Sequence, residues 1–379
     1  MYRIRHELEE LERNFNLRTI PAPERRSDLL DFSTNDYLGL GIDQELRNEF
    51  FSAPERRNFP LTSSASRLLA SEQDRYSSLE NLLSALYGRP GLLFNSGYHA
   101  NTGLVSALGD KDTLIVADKL VHASIIDGYK LSSADMQRFR HNDCAHLKAI
   151  LEAKAKSYKR VLIIVESVYS MDGDTAPLTE IAEIKRCYDN ALLYVDEAHA
   201  FGVSGERGLG LVADSECAGN VDVIVGTFGK AAASQGAFAI LDEDLKNYAI
   251  NRARSFIFST AIPPLNCAWT QFVVEHFPAM SARREHLKAL SARLHAKLCD
   301  ALPHFRASVS QPSHIVPVIV GDSKKVIDYS RRLLEDGIKV LPIRTPTVPP
   351  HTERLRISLS AAMSEADIDW LAASISRLL

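Results

Sequence analysis

Between positions 91 and 241 the chain alternates short apolar runs with longer mixed segments, and this alternation restricts the fold more than any other feature. The runs fall at 91–94, 113–118, 161–166, 192–196, 221–227 and 237–241. Several are apolar throughout and lack the in-and-out pattern of a half-exposed sheet, so both faces of each predicted strand are covered. The intervening segments are long enough for the crossover helices that parallel neighbours require. An α/β large domain with a mainly parallel sheet follows.

The flanking regions read differently. Residues 4–15 place apolar side chains at helical spacing among charges, and a stretch interrupted by Pro21 and Pro23 completes an N-terminal arm over 1–40. A helix pattern over 76–86 stops at Gly88. After Ile262-Pro-Pro a long helical region reaches about 302, and strand, helix, strand, strand and helix follow at 315–320, 326–334, 340–343, 355–359 and 368–378. The expected organisation is the arm, a large domain over 41–275 and a smaller α+β domain over 276–379.

Composition narrows the partners. At 379 residues and 45% hydrophobic content the chain can bury a sizeable core. A formal charge of −4 gives phosphate backbones no general attraction, so small molecules are expected and nucleic acid is not. Cys144, Cys187, Cys217, Cys267 and Cys299 are scattered, odd in number and without metal-ligand spacing, which predicts a reducing cytoplasm and no bound metal. The N-terminal residues lack a secretory apolar core, and the aliphatic run 161–165 is too short to span a bilayer, so no membrane association is expected.

Several motifs bear on chemistry. Leu193-Tyr-Val-Asp196-Glu-Ala-His199 sets two titratable groups three positions apart at a strand end, where open α/β sheets collect ligand-binding groups; a structural Asp is the plainer reading. The same spelling suggests a nucleotide hydrolase, but no G-x-x-x-x-G-K-[ST] loop is present. Gly208-Leu-Gly210-Leu-Val-Ala follows Gly-Glu-Arg instead of a buried run, so it reads as a turn, and no G-x-S-x-G elbow exists. Lys230, in Thr227-Phe-Gly-Lys, sits between a strand end and small residues. It is either a loop lysine or an amine poised for a Schiff base. Phe94-Asn-Ser-Gly97-Tyr98-His-Ala-Asn101 joins a strand to a helix whose first amides suit a phosphate. His122 lies just beyond a strand, where hydrogen-bonded structure is its ordinary use.

In order and spacing, Asn35-Asp-Tyr-Leu-Gly-Leu, Ser66-Arg67, Asn95-Ser-Gly97-Tyr98, His122-Ala-Ser, Ser170-Met-Asp-Gly-Asp, Asp196-Glu-Ala-His199, Thr227-Phe-Gly-Lys230 and Phe258-Ser-Thr260 resemble the α-oxoamine synthases. These are fold-type I enzymes that use pyridoxal 5′-phosphate, and the match runs from about Asn35 to the C-terminus. The resemblance implies a seven-stranded type of large-domain sheet flanked by helices, a smaller C-terminal domain and a homodimer. Within the family, Ile343-Arg344-Thr-Pro-Thr347-Val-Pro-Pro and Leu355-Arg356-Ile-Ser-Leu-Ser-Ala are similar to the signature of members that condense alanine with a pimeloyl thioester, carried by coenzyme A or by an acyl carrier protein. A sister activity on glycine and acetyl-CoA stays open. The resemblance makes Lys230 the Schiff-base lysine, Asp196 the partner of the ring nitrogen, His199 that of the phenolic oxygen and His122 the stacking ring. Gly97, Tyr98, Thr227 and, from a second subunit, Thr260 become phosphate contacts, with Ser170 near the ring. Arg356, aided by Asn35, is implied for the amino-acid carboxylate, and Arg18, Arg344 and Thr347 for the acyl substrate. Two departures stand out: Thr62-Ser-Ser-Ala-Ser66 replaces a Gly-rich segment, and the residues after Lys230 are Ala-rich.

Overall fold

The computed structural model describes residues 2–20, 28–56, 58, 60–71 and 73–379. The break read at Pro21 and Pro23 lies outside the described residues. The chain divides into two compact units. One comprises Leu38–Tyr169 and Thr175–Arg284, the other Met1–Tyr37, Ser170–Asp174 and Glu285–Leu379.

A seven-stranded sheet organises the first unit. In chain order its strands are β1 (Gly91–Phe94), β2 (Thr113–Asp118), β3 (Asp135–Phe139), β4 (Arg160–Glu166), β5 (Ala191–Asp196), β6 (Val223–Thr227) and β7 (Ala237–Ile240). Across the sheet they run β1-β7-β6-β5-β4-β2-β3, with β7 alone reversed. Val161 through Val165 have no exposed surface, as an apolar run covered on both faces requires. Helices Gly97–Leu108, Ala123–Lys130, Cys144–Lys154 and Leu178–Arg186 make the crossovers between β1 and β5. No α-helix joins β5 to β6; there the chain makes turns and the short 3₁₀ helix Ala218–Asn220.

Strand β3 has no counterpart among the apolar runs. It is an edge strand with one neighbour, its Asp-Met-Gln-Arg-Phe sequence is half in water, and polar residues suit such an edge. The long helical region expected after residue 262 consists of Pro264–His276, a 3₁₀ turn Phe277–Met280 and then Ser281–Ala301. Pro278 lacks the N–H that an unbroken α-helix needs.

The second unit holds a three-stranded antiparallel sheet of β8 (Ile315–Ile319), β9 (Leu341–Ile343) and β10 (Arg354–Ser358), in the order β9-β10-β8. Helices Ser323–Glu335 and Glu365–Leu378 belong to it, the latter opened by a capping box of Ser364 and Asp367. Leu30–Asp31 pairs in parallel with Ile338–Lys339, a two-residue contact too short to show in any hydrophobic pattern. No helix among the described residues is long and apolar enough to cross a membrane.

Both departures from glycine fall on left-handed backbone: Ser64 has φ 48° and Ala233 φ 45°. An L-residue there costs about 1–2 kcal/mol, against about 0.5–1 kcal/mol for the flexibility a glycine adds. Ala233→Gly is therefore expected to raise stability by about 0.5–1 kcal/mol. Calorimetry checks this, and a lower unfolding temperature would show that the Ala233 methyl group contributes packing that outweighs the strain.

Candidate active site

In the sheet unit, β5 and β6 run parallel with Asp196 opposite Val225, so their carboxyl ends open side by side. Asp196, 4% exposed, ends β5. Its Oδ1 accepts the Ala198 amide at 2.9 Å and its Oδ2 accepts the Asn101 side-chain amide at 2.7 Å. His199, three residues on, is 5% exposed. Lys230 stands in the turn after β6, its ammonium 2.7 Å from His199 Nε2.

His122 caps helix Ala123–Lys130, its Nδ1 accepting the Ser124 amide at 3.2 Å and lying 2.7 Å from Ser124 Oγ. The residue is exposed to water on one side. Desolvation lowers its pKa first; Asp196 opposes that and the Lys230 charge adds to it. Four groups expected together, Asp196, His199, Lys230 and His122, thus share one neighbourhood.

The start of helix Gly97–Leu108 adjoins the end of β6. A Cβ at Gly97 would lie 3.6 Å from Thr227 Cβ. Ser96 caps the helix by accepting the His99 amide, which leaves the amides of Gly97 and Tyr98 without an acceptor among the described residues. Thr227 Oγ1 receives the Gly229 amide at 3.2 Å and donates to the Gly236 carbonyl at 3.1 Å. The Tyr98 ring is exposed and its hydroxyl donates to Asp127. Thr260 is also exposed; its carbonyl accepts the Asn95 amide and its backbone bridges to Ser66.

Glu197 turns away from this cluster. It has no exposed surface, and its Oε1 accepts the amides of Leu211 and Val212 at 2.8 and 3.2 Å. It thereby fastens the turn that carries Gly208 and Gly210. A Cβ at Gly210, whose φ is +100°, would overlap the carboxylate. The acid beside Asp196 is a loop clamp and not a metal-facing carboxylate. Sequence reasoning also missed Asn101, Ser124 and Tyr194, whose partners are far away in the chain.

The second unit gathers the arginines. Arg356 on β10 is 3% exposed. Its Nε donates to the Ser170 carbonyl at 2.7 Å, and its Nη1 to Ser358 Oγ at 2.7 Å and Asn35 Oδ1 at 3.2 Å. All three acceptors are neutral, and among the described residues Arg356 forms no ion pair. Tyr37 packs beside it, burial pushing its phenol up to about 12 against the opposing pull of Arg356. Ser170, expected beside the cofactor ring, therefore belongs to the same unit as Arg356 and Asn35. Elsewhere in this unit Arg18 donates to Thr347 Oγ1 at 2.8 Å and Arg344 to the Phe15 carbonyl at 2.6 Å. Burial and the Arg18 charge lower the pKa of Arg344.

Residues 27–375 match the family described as aminotransferase class I and II. The 8-amino-7-oxononanoate synthase of Haemophilus ducreyi is 46% identical over 356 residues, covering 92% of this chain and 91% of that protein. Among solved structures, serine palmitoyltransferase from S. paucimobilis with a bound PLP–myriocin adduct superposes with a TM-score of 0.89 at 27% identity, over 99% of this chain and 96% of that one. An 8-amino-7-oxononanoate synthase from Francisella tularensis gives 0.77 at 27% identity, over 93% and 98%. The chain belongs to the class I and II aminotransferase family, in its α-oxoamine synthase branch. It is a fold-type I transferase that uses pyridoxal 5′-phosphate. The residues present suit that group: a primary amine, a buried carboxylate with both oxygens already oriented, and a helix start with two unclaimed amides.

Burial raises Glu197 to about 7, the Leu211 and Val212 amides opposing it. A carboxyl that binds its proton more tightly when folded contributes fully below the unfolded value of 4.5 and loses that contribution as pH rises through about 7. The loss corresponds to about 3 kcal/mol. Glu197→Gln should abolish this slope. Urea unfolding at pH 5 and pH 8 checks it, and an identical pH dependence in both proteins would refute it.

Proposed function

We propose that this chain condenses L-alanine with a pimeloyl thioester, giving 8-amino-7-oxononanoate, carbon dioxide and free thiol, as its named relatives imply for biotin assembly. The observation that carries the reading is the contact of Lys230 with His199 beside buried Asp196, in a chain with such relatives. When bound, the cofactor supplies an electron sink for the pair left at the alanine α-carbon. Lys230 supplies the amine that attaches it, and the same Nζ removes the α-proton of alanine. Asp196 keeps a proton on the ring nitrogen, His199 donates to the phenolic oxygen, and His122 stacks on the ring. Gly97 and Tyr98 offer backbone amides to the phosphate, Thr227 its hydroxyl, and Thr260 joins them from a second copy in a homodimer.

Arg356 takes the alanine carboxylate, because its buried guanidinium is surrounded by neutral acceptors and carries no counter-charge of its own. Asn35 holds Arg356 and Ser170 flanks it. Arg18, Arg344 and Thr347 receive the terminal carboxylate of the pimeloyl chain. The α-carbon bonds to the thioester carbonyl carbon, the C–S bond breaks and the thiolate leaves. The resulting β-keto acid releases its carboxylate as carbon dioxide, and Lys230 returns a proton to the α-carbon.

Alanine with pimeloyl-CoA, or with the same acyl group on a carrier protein, should exceed glycine with acetyl-CoA by at least about 10²-fold in kcat/KM. The methyl group alone contributes about 1–3 kcal/mol, roughly 10–200-fold, and the acyl group adds to it. A preference for the glycine pair would assign the chain to the sister activity.

Lys230→Ala should abolish turnover, and borohydride should fix the cofactor to Lys230 in the native protein. Asp196→Asn should lower the rate about 10²-fold or more. Label on another lysine by peptide mapping, or near-normal activity of Asp196→Asn, would overturn these roles.

A further inference from the structure

We propose that Asn101 is a positioning residue: its side-chain amide holds Asp196 and, through Ser124, decides which nitrogen of His122 carries the proton. The side chain is 2% exposed on the first turns of helix Gly97–Leu108 and makes three bonds. Nδ2 lies 2.7 Å from Asp196 Oδ2 and 2.9 Å from Ser124 Oγ, and Oδ1 receives the Tyr194 hydroxyl at 2.6 Å.

The polarity of this network is forced. The Asp196 carboxylate accepts, so the amide must turn its NH₂ toward it, which puts Oδ1 at the Tyr194 hydroxyl. The second N–H of Nδ2 then falls on Ser124 Oγ. With its oxygen accepting there, Ser124 has its own proton to give, and His122 Nδ1 lies 2.7 Å away. The Ser124 backbone amide donates to the same nitrogen at 3.2 Å. Two donors converge on Nδ1, so the neutral ring carries its proton on Nε2.

Asn101, Ser124 and Tyr194 are all buried, and every bond in the path has a unique direction, so the arrangement is rigid. One amide thus fixes the orientation of the carboxylate and the proton of the imidazole. The functional meaning rests on the roles proposed above for Asp196 and His122; the proton arrangement does not. A neutral ring with Nε2–H can stack on a protonated pyridine without adding a second positive charge, and it retains a donor for a substrate oxygen.

Selective ¹⁵N-histidine labelling of the holoenzyme tests this, with His122→Gln to assign the signal. The wild type should show an unprotonated Nδ1 and a protonated Nε2 on His122. Asn101→Ala and Ser124→Ala should each introduce a measurable population of the other tautomer and lower kcat about 10-fold, with KM for alanine within about twofold. Asn101→Ala alone should also weaken cofactor binding about 10-fold, because it alone frees Asp196. A protonated Nδ1 in the wild type, or an unchanged nitrogen pattern in the variants, overturns the proposal. Should Asn101→Ala not fold, Ser124→Ala decides. A wild type with the expected nitrogens that condenses no amino acid with any thioester overturns the functional reading and leaves this inference standing.

Discussion

The register between β5 and β6 is the constraint on which the sheet unit's chemistry depends. Parallel pairing places Asp196 opposite Val225, so β5 ends two residues short of the end of β6 and both outgoing segments leave from one edge. Asp196, His199 and the turn carrying Lys230 all begin there. A one-residue slip would turn Asp196 to the other face of the sheet and break its bonds to Asn101 and Ala198. What prevents the slip is burial: Val195, Ile224 and Val225 are almost wholly covered, and a strand apolar on both faces is held by both. The site is precise because the core beneath it is.

Charge is distributed with a consistent logic. In the sheet unit a buried carboxylate accepts one hydrogen bond on each oxygen and a half-buried lysine rests on an imidazole. In the other unit Arg356 meets neutral oxygens, and Arg344 with Arg18 meets a backbone carbonyl and a hydroxyl. Burying a cation without a counter-charge costs stability unless hydrogen bonds offset it. The chain accepts that cost at Arg356, while Arg354, two residues away, forms an internal ion pair with Asp172. Two buried arginines on β10, two positions apart, are thus treated oppositely, one neutralised by Asp172 and one surrounded by neutral acceptors.

How much of this was legible in the sequence follows from the range of the forces involved. Strands β4 to β6 announce themselves because burial on both faces demands an unbroken apolar run. Strand β3 does not, because an edge needs polar residues. Lys230, Asp196 and His199 were readable from local spelling beside strand ends. Asn101 stood inside a quoted motif, yet its role depends on Asp196, 95 positions away, and no local pattern encodes that pairing. Glu197, the residue after Asp196, is equally unreadable from local spelling, because the amides that take its carboxylate belong to a loop 14 positions away.

Non-glycine residues with left-handed backbone show where local preference yields to the site. Ala233 closes the turn that begins at the Lys230 carbonyl, and the Trp269 indole N–H donates to the Ala233 carbonyl at 3.0 Å. Phe15, with φ 56°, presents the carbonyl that Arg344 grasps. In each case the costly conformation aims a backbone oxygen at a group that fixes the segment, and the residue type narrows the conformations open to the unfolded chain more than glycine would. Glycine would relieve the strain but loosen the turn on which Lys230 is mounted. A sequence that keeps alanine there trades a fraction of a kcal/mol of stability for a lysine whose amine stays in one place.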